Sequence, residues 1–392
     1  MRVLLANCGA IVSGRLDAPL ADGDSILVED ELVREVGFGI SPDRADRVID
    51  VRGATVVPGL IDTHSHPVIG DFTPRQNAVG WTARTLNGGV TSLVSAGETH
   101  WPGRQKDGAE AAAICAAAFL TSRTRQPGCS RVFGGALLLD RGITEQDLDT
   151  LHALGVRRLG EIGLGSEKDV SRIAELVAHA KSLGWVAPLH FGGASVPGSS
   201  VVDAGMALRI RPTVISHANG GPTARPVEEA FALIEETEVA IELVFAGNAQ
   251  VASQIVRKLG ERGELHRLQF GTDTPSGTGV VPLALLRTIT EAASLGGLDP
   301  VQALAIASGV AAARYGLLSP SGNPLGVIEA GAQADLVVLS NPLGSETASA
   351  FDAMSNGNVP AVMVVLVDGE IVITRSSVTP PPEHAASLGG LA

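Results

Sequence analysis

The chain has 392 residues, of which 45% are hydrophobic but only 3% aromatic, with 47 glycines and 22 prolines; that is enough for a barrel of roughly 250–300 residues plus a smaller module, with a core of small and branched aliphatics. A formal net charge of −13 repels nucleic-acid backbones and anionic membranes, so no nucleic acid and no membrane is expected as a partner. Three cysteines, Cys8, Cys115 and Cys129, form no CxxC and no matched set, which argues against a disulfide framework and fits a reducing compartment.

The first residues, MRVLLANCGAIVSG, lack a basic segment followed by a continuous apolar run, so no export signal is expected and a cytoplasmic location is the reading. No apolar run is long enough to span a bilayer. Residues 1–56 carry short strand patterns, VLLANCGAIV, SILVEDELVREVG and DRVIDVRGATVVP, separated by polar and glycine-containing turns. From 57 to 320 the pattern is strand, loop, helix, repeated eight times. The predicted strands are GLIDTHSH (59–66), TSLVSAG (91–97), RVFGGALLL (131–139), RRLGEIG (157–163), WVAPLHF (185–191), TVISHAN (213–219), VAIELVF (239–245) and LQFGTD (268–273). Segments such as EKDVSRIAELVAHAKSLG and VEEAFALIEETE between them have apolar residues at three- and four-residue spacing, as amphipathic helices do. Residues 321–376 return to strands, with Asp368-Gly369 as a hairpin turn. The prediction is an α/β fold, a (β/α)₈ barrel at 57–320, with a small β-sandwich built from both termini (1–56 and 321–376) and a Pro-rich surface tail at 377–392. Gly163-Leu164-Gly165 falls short of a dinucleotide fingerprint, which disfavours a doubly wound sheet.

Five of the nine histidines sit near predicted strand ends. His64 and His66 close the first barrel strand as HxH, and alternation along a strand puts residues i and i+2 on one face. His190 closes the fifth strand and His217 the sixth, and the carboxyl ends of barrel strands converge on one mouth. Glu161 lies at the end of the fourth strand and Asp273 at the end of the eighth. Any one such histidine is more often a hydrogen-bonded core residue, and any one such acid a helix cap. Four imidazoles and two carboxylates at the ends of five strands point instead to two divalent cations, zinc first, with iron or manganese as alternatives. His64, His66 and Asp273 suit one ion and His190 with His217 the other; Glu161, with two oxygens, is placed to bridge, and Lys168 in the following loop is the fallback. Such a pair of ions lowers the pKa of a water and polarises a carbonyl, and Asp273 is the candidate to carry a proton to the leaving nitrogen. A serine-hydrolase elbow, GxSxG, is absent.

These motifs resemble the amidohydrolase superfamily, with VVPGLIDTHSH and LGVIEAGAQADLVVL the most typical phrases. Within it the chain is similar to the enamidase branch through GDFTPRQ, NGGVTSLVSAGETHWPGR, GEIGLG, HFGGASVPGSS, SHANGGPTA and FGTDTPSGTG. The resemblance implies metal-dependent hydrolysis of a C–N bond in a cyclic amide. The substrate it implies is 6-oxo-1,4,5,6-tetrahydronicotinate, opened to 2-formylglutarate and ammonia. It also implies glutamate rather than carbamylated lysine between the ions, in line with the four lysines, Lys106, Lys168, Lys181 and Lys258, lying away from predicted strand ends. A homo-oligomer, a tetramer by analogy, is implied as well. A carboxylate-bearing substrate calls for a local cation, for which Arg75 and Arg104 are the candidates; His100 and Ser276, with Thr278, are candidates to line the pocket. His152, His179, His266 and His384 are read as structural or surface residues. The alternatives are a dihydropyrimidinase-like ring opener, an acyl-amino-acid deacylase, an isoaspartyl dipeptidase, or a metal-free scaffold.

Overall fold

Two strands near the carboxyl end, Leu336–Ser340 and Ala361–Val367, are buried along their whole length, which means that both of their faces are covered. The computed structural model describes residues 1–67, 80–99, 103–195, 198–275 and 279–389, and within these the period-two alternation explains the coverage. Leu336, Val338, Val364 and Leu366 pack with Val3, Leu5, Ile26, Val28 and Ile49 in a sandwich core. Their neighbours Val337, Leu339, Val365 and Val367 join the large core beneath the barrel helices. One sheet orders Ser387–Gly389, Arg47–Asp50, Arg2–Ala6, Ser25–Glu29 and Leu32–Gly37; the other orders Glu370–Ile373, Ala361–Val367, Leu336–Ser340, Thr55–Pro58 and Ala10–Ile11. Both termini therefore supply strands, and the second sheet lies between the first and the barrel. The tail contributes Ser387–Gly389 as an edge strand antiparallel to Arg47–Asp50.

The α/β barrel expected from the sequence is the observed architecture. Leu60–Ser65, Val90–Ser95 and Arg131–Phe133 form one parallel sheet, and Pro188–His190, Val214–Ser216, Ala240–Val244 and Leu268–Gly271 another. The fourth predicted strand, RRLGEIG, is not a regular strand. Isolated parallel bridges Leu137↔Leu159, Arg158↔Val186 and Ile162↔Leu189 carry the ring across it, and Ser65↔Thr274 closes the circle. The reason is local: Gly160 lies against Ala96 and Gly97 of the second strand's end, Gly163 has a positive φ, and the Glu161 N–H donates to the Ala96 carbonyl, so the segment leans across its neighbours.

The helices follow their apolar stripes. Val170–Ser182 starts at Asp169, whose carboxylate accepts from the Ser171 N–H, and buries Ile173, Leu176, Val177 and Ala180. Burial of one such leucine contributes about 1.5–3 kcal/mol. Val227–Glu236 buries Ala230, Leu233 and Ile234 in the same way. Among the described residues, no helix is long and apolar enough to cross a membrane. All three cysteines are free, and burial pushes the Cys8 and Cys115 thiols up to about 12, as expected of small apolar core residues.

Barrel and sandwich are tied by a buried ion cluster. Arg131, opening the third strand, pairs with Asp335 at 2.9 Å and with Asp368; Arg125 also pairs with Asp368, at 2.8 Å. Gln333 Nε2 donates to Asp368 at 2.6 Å. Arg131→Met removes the cation and strands the buried Asp335 carboxylate, while the partly exposed Asp368 keeps Arg125, so it is expected to cost about 3–5 kcal/mol. Urea denaturation checks this, with a shift of the midpoint to clearly lower concentration.

Candidate metal centre

An apolar layer forms the floor of the site. Ile61, Val94, Val186, Val214 and Ala240, from five barrel strands, cluster with Tyr315 and Leu317. Two residues beyond Ala240, the seventh strand places Glu242, which is fully buried. The first strand does not keep simple alternation here: from Asp62 to Ser65 it advances three residues while its partner advances two, from Leu93 to Ser95. That extra residue is a bulge, and bulges re-aim side chains beside sites. In consequence Thr63 Oγ1 and His64 Nδ1 both meet the Glu242 carboxylate, each at 2.6 Å. The rings of His64 and His66 lie 5.2 Å apart.

Around these rings the sequence-selected side chains converge. Glu161 Oε2 lies 3.4 Å from His64 Nε2 and 3.8 Å from His66 Nε2. Its other oxygen, Oε1, lies 2.8 Å from His217 Nε2 and 3.5 Å from His190 Nδ1. One carboxylate thus turns one oxygen to each imidazole pair. Asp273 Oδ1 is 3.0 Å from His66 Nε2 and 3.8 Å from His64 Nε2. Two triads, His64–His66–Glu161 and Glu161–His190–His217, each offer ligand atoms within 4.8 Å of one another.

Hydrogen bonds settle which ring nitrogens face the centre. His190 Nε2 lies 2.7 Å from the Gly193 carbonyl, an acceptor, so that nitrogen carries the proton and Nδ1 is left with its lone pair. His64 Nδ1 is engaged by Glu242, and His64 Nε2, buried, has no hydrogen-bond partner among the described residues. An orphaned buried nitrogen facing two carboxylates is what a cation ligand looks like without its ion. The electrostatics agree. Burial opposes charge on His64, yet Glu161 and Glu242 raise its pKa well above the ordinary imidazole value; burial likewise opposes charge on Glu161, yet His64, His190 and His217 hold its carboxyl well below the usual carboxylate range. The centre calls for positive charge, and the residues present fit divalent cations.

The backbone at the site is unusual. His217 (φ 37°) and Asp273 (φ 55°) both adopt left-handed conformations, which are uncommon for residues with a Cβ and concentrate at functional sites. Asp273 is held by its N–H donating to the His64 carbonyl at 2.8 Å. Beside it, the Thr272 hydroxyl and N–H donate to Asp62, at 2.6 and 2.9 Å; burial pushes the Asp62 carboxyl up to about 7. Gly271 is required by close approach, because a Cβ there would lie 2.5 Å from His64 Cβ. Gly271→Ala is therefore expected to push His64 out of place, and metal content measured by plasma mass spectrometry should fall while the circular dichroism spectrum stays close to that of the unmodified protein.

Other sequence candidates fare differently. Arg75, His100 and Ser276, with Thr278, lie outside the described residues. Arg104, read as a substrate ligand, has a buried side chain, 4% exposed, paired through one guanidinium nitrogen with the fully buried Asp140. Lys168 Nζ donates to the Gly165 carbonyl at 2.8 Å and to Ser200 Oγ at 3.1 Å, and is not in either triad. His152 accepts from Trp185 Nε1 and His179 pairs with Asp149, both structural roles. Glu242 was missed, although a lone acid inside VAIELVF is a signal, since a buried charge must be paired.

Comparison with known proteins places this geometry. A profile described as the amidohydrolase family matches residues 209–372. The chain is 41% identical to enamidase from Eubacterium barkeri over 389 residues, 99% of each chain. The chain belongs to the amidohydrolase superfamily. A crystal structure of enamidase, described as a member of the same superfamily, superimposes with a TM-score of 0.93 at 40% identity, covering 99% of this amidohydrolase and 100% of that chain. A shorter similarity, 37% over 103 residues, links a quarter of each chain to imidazolonepropionase from Salinispora arenicola.

Proposed function

We propose that this amidohydrolase opens the lactam of a carboxylate-bearing cyclic enamide, 6-oxo-1,4,5,6-tetrahydronicotinate, with one water, and that the resulting enamine is hydrolysed by a second water to 2-formylglutarate and ammonia. Similarity to an enamidase along 99% of both chains supports the substrate, and the observation that carries the chemistry is Glu161 turning one oxygen to each histidine pair. His64, His66 and Asp273 would hold one divalent cation, His190 and His217 the other, with Glu161 between them; zinc, iron and manganese all suit this donor set. When bound, two such ions supply a water of near-neutral pKa and polarise the scissile carbonyl. Asp273 is a quarter exposed, so unlike Glu161 it reaches the open side of the centre, and it takes the proton and delivers it to the leaving nitrogen. His190 and His64 keep their lone pairs toward the centre because their other ring N–H groups donate to the Gly193 carbonyl and the Glu242 carboxylate. Arg75 or Arg104 is the proposed partner of the substrate carboxylate, and His100 and Ser276 are proposed as further substrate-binding residues. A homotetramer is proposed by family analogy, and a cytoplasmic location from the sequence.

Incubation with 6-oxo-1,4,5,6-tetrahydronicotinate should bleach the enamide absorbance and release one ammonia for each ring opened. Turnover of a dihydropyrimidine or an isoaspartyl dipeptide, with none of the tetrahydronicotinate, would overturn the substrate reading and leave the metal centre standing.

A further inference from the structure

Glu242 meets the ring nitrogen of His64 opposite the cation site and belongs to no proposed ligand set, yet its carboxylate has three hydrogen-bonding partners. Its side chain is 1% exposed. Oε2 lies 2.6 Å from His64 Nδ1, and Oε1 accepts from Thr63 Oγ1 at 2.6 Å and from Gln269 Nε2 at 2.7 Å. Gln269 Nε2 in turn lies 3.2 Å from the Tyr315 hydroxyl, which belongs to the apolar floor. The donors come from two elements, the first strand and the eighth, and the helix Ala311–Tyr315 supplies the hydroxyl that accepts from Gln269. Among the described residues, the only ion pair of Glu242 within 4 Å is with His64. A carboxylate this deep is costly unless its charge is used.

We infer that Glu242 is a positioning residue that sets the tautomer and orientation of His64 and so determines how tightly the ion held by His64, His66 and Asp273 is retained. The inference rests on the two-cation reading of the centre. Its physical content is specific. A proton held on Nδ1 by a carboxylate leaves Nε2 as the ligand atom, makes it more basic, and prevents the ring from flipping. The buried negative charge of Glu242 also offsets one positive charge of the centre. His190, by contrast, has only a neutral carbonyl on its far nitrogen. The two ions should therefore respond unequally when Glu242 loses its charge.

The test is Glu242→Gln, which keeps volume and hydrogen-bonding capacity but removes the charge. Zinc-loaded protein, unmodified and E242Q, is dialysed against graded chelator, and the zinc remaining per chain is counted. The expected result is one ion retained as in the unmodified protein and the other lost at roughly 10–100-fold lower chelator strength, with turnover restored by excess zinc. E242Q that keeps both ions as tightly as the unmodified protein overturns the inference, as does equal loosening of both, which would mark a purely structural role. Unmodified protein that binds neither zinc nor, on reconstitution, iron or manganese overturns the two-cation reading itself, and this inference with it. Should E242Q fail to fold, nitrogen-15 spectra of histidine-labelled, zinc-loaded unmodified protein decide: a proton on His64 Nδ1 is expected, and a proton on Nε2 overturns the inference.

Discussion

Asp273→Asn is expected to lower kcat by roughly 10³-fold or more while leaving the fold intact. Asparagine matches aspartate in shape, and the hydrogen bond that fixes the turn, Asp273 N–H to the His64 carbonyl, belongs to the backbone. What is lost is the carboxylate facing His66 and His64 at 3.0 and 3.8 Å, and with it the group that accepts and returns a proton. Because this role is exercised as the bond breaks, kcat and kcat/KM should fall together. Steady-state kinetics with the enamide reads this directly. Near-normal turnover in D273N would remove Asp273 from proton transfer.

Glu161→Gln should have a comparably large effect through a different cause. Glutamine keeps one oxygen and replaces the other by an NH₂ that donates and cannot ligate. Only one of the two histidine pairs can then share an oxygen, so ion content should fall from about two per chain to about one or fewer. Turnover should fall by at least the factor expected for D273N. Plasma mass spectrometry of protein purified without chelators gives the stoichiometry, and two full equivalents in E161Q would show that Glu161 does not serve both pairs.

The parts of this centre legible in the sequence were those tied to strand ends. His64, His66, His190, His217, Glu161 and Asp273 are separated by up to 209 positions along the chain, yet a closed barrel gathers carboxyl ends at one mouth, so placing them on strands was enough to place them together. What alternation could not show was the bulge after Asp62, which lets Thr63 and His64 reach the same carboxylate. The fourth strand was misread for a related reason: RRLGEIG has the residues of a strand, but Gly160 and Gly163 let it lean onto its neighbours with only bridge contacts. The pairing of Arg104 with Asp140 was not legible, because the two lie 36 residues apart and no local pattern links them. Glu242 carried a signal that went unused: a single acid in a strand buried on both faces has to be answered by something, and here it is answered by His64.

Crystals grown without chelator, measured at the zinc and iron absorption edges, test the central claim most directly. Two anomalous peaks are expected, one ligated by His64, His66 and Asp273, the other by His190 and His217, with one Glu161 oxygen on each. A single peak, or two peaks that leave Glu161 unligated, would contradict the account.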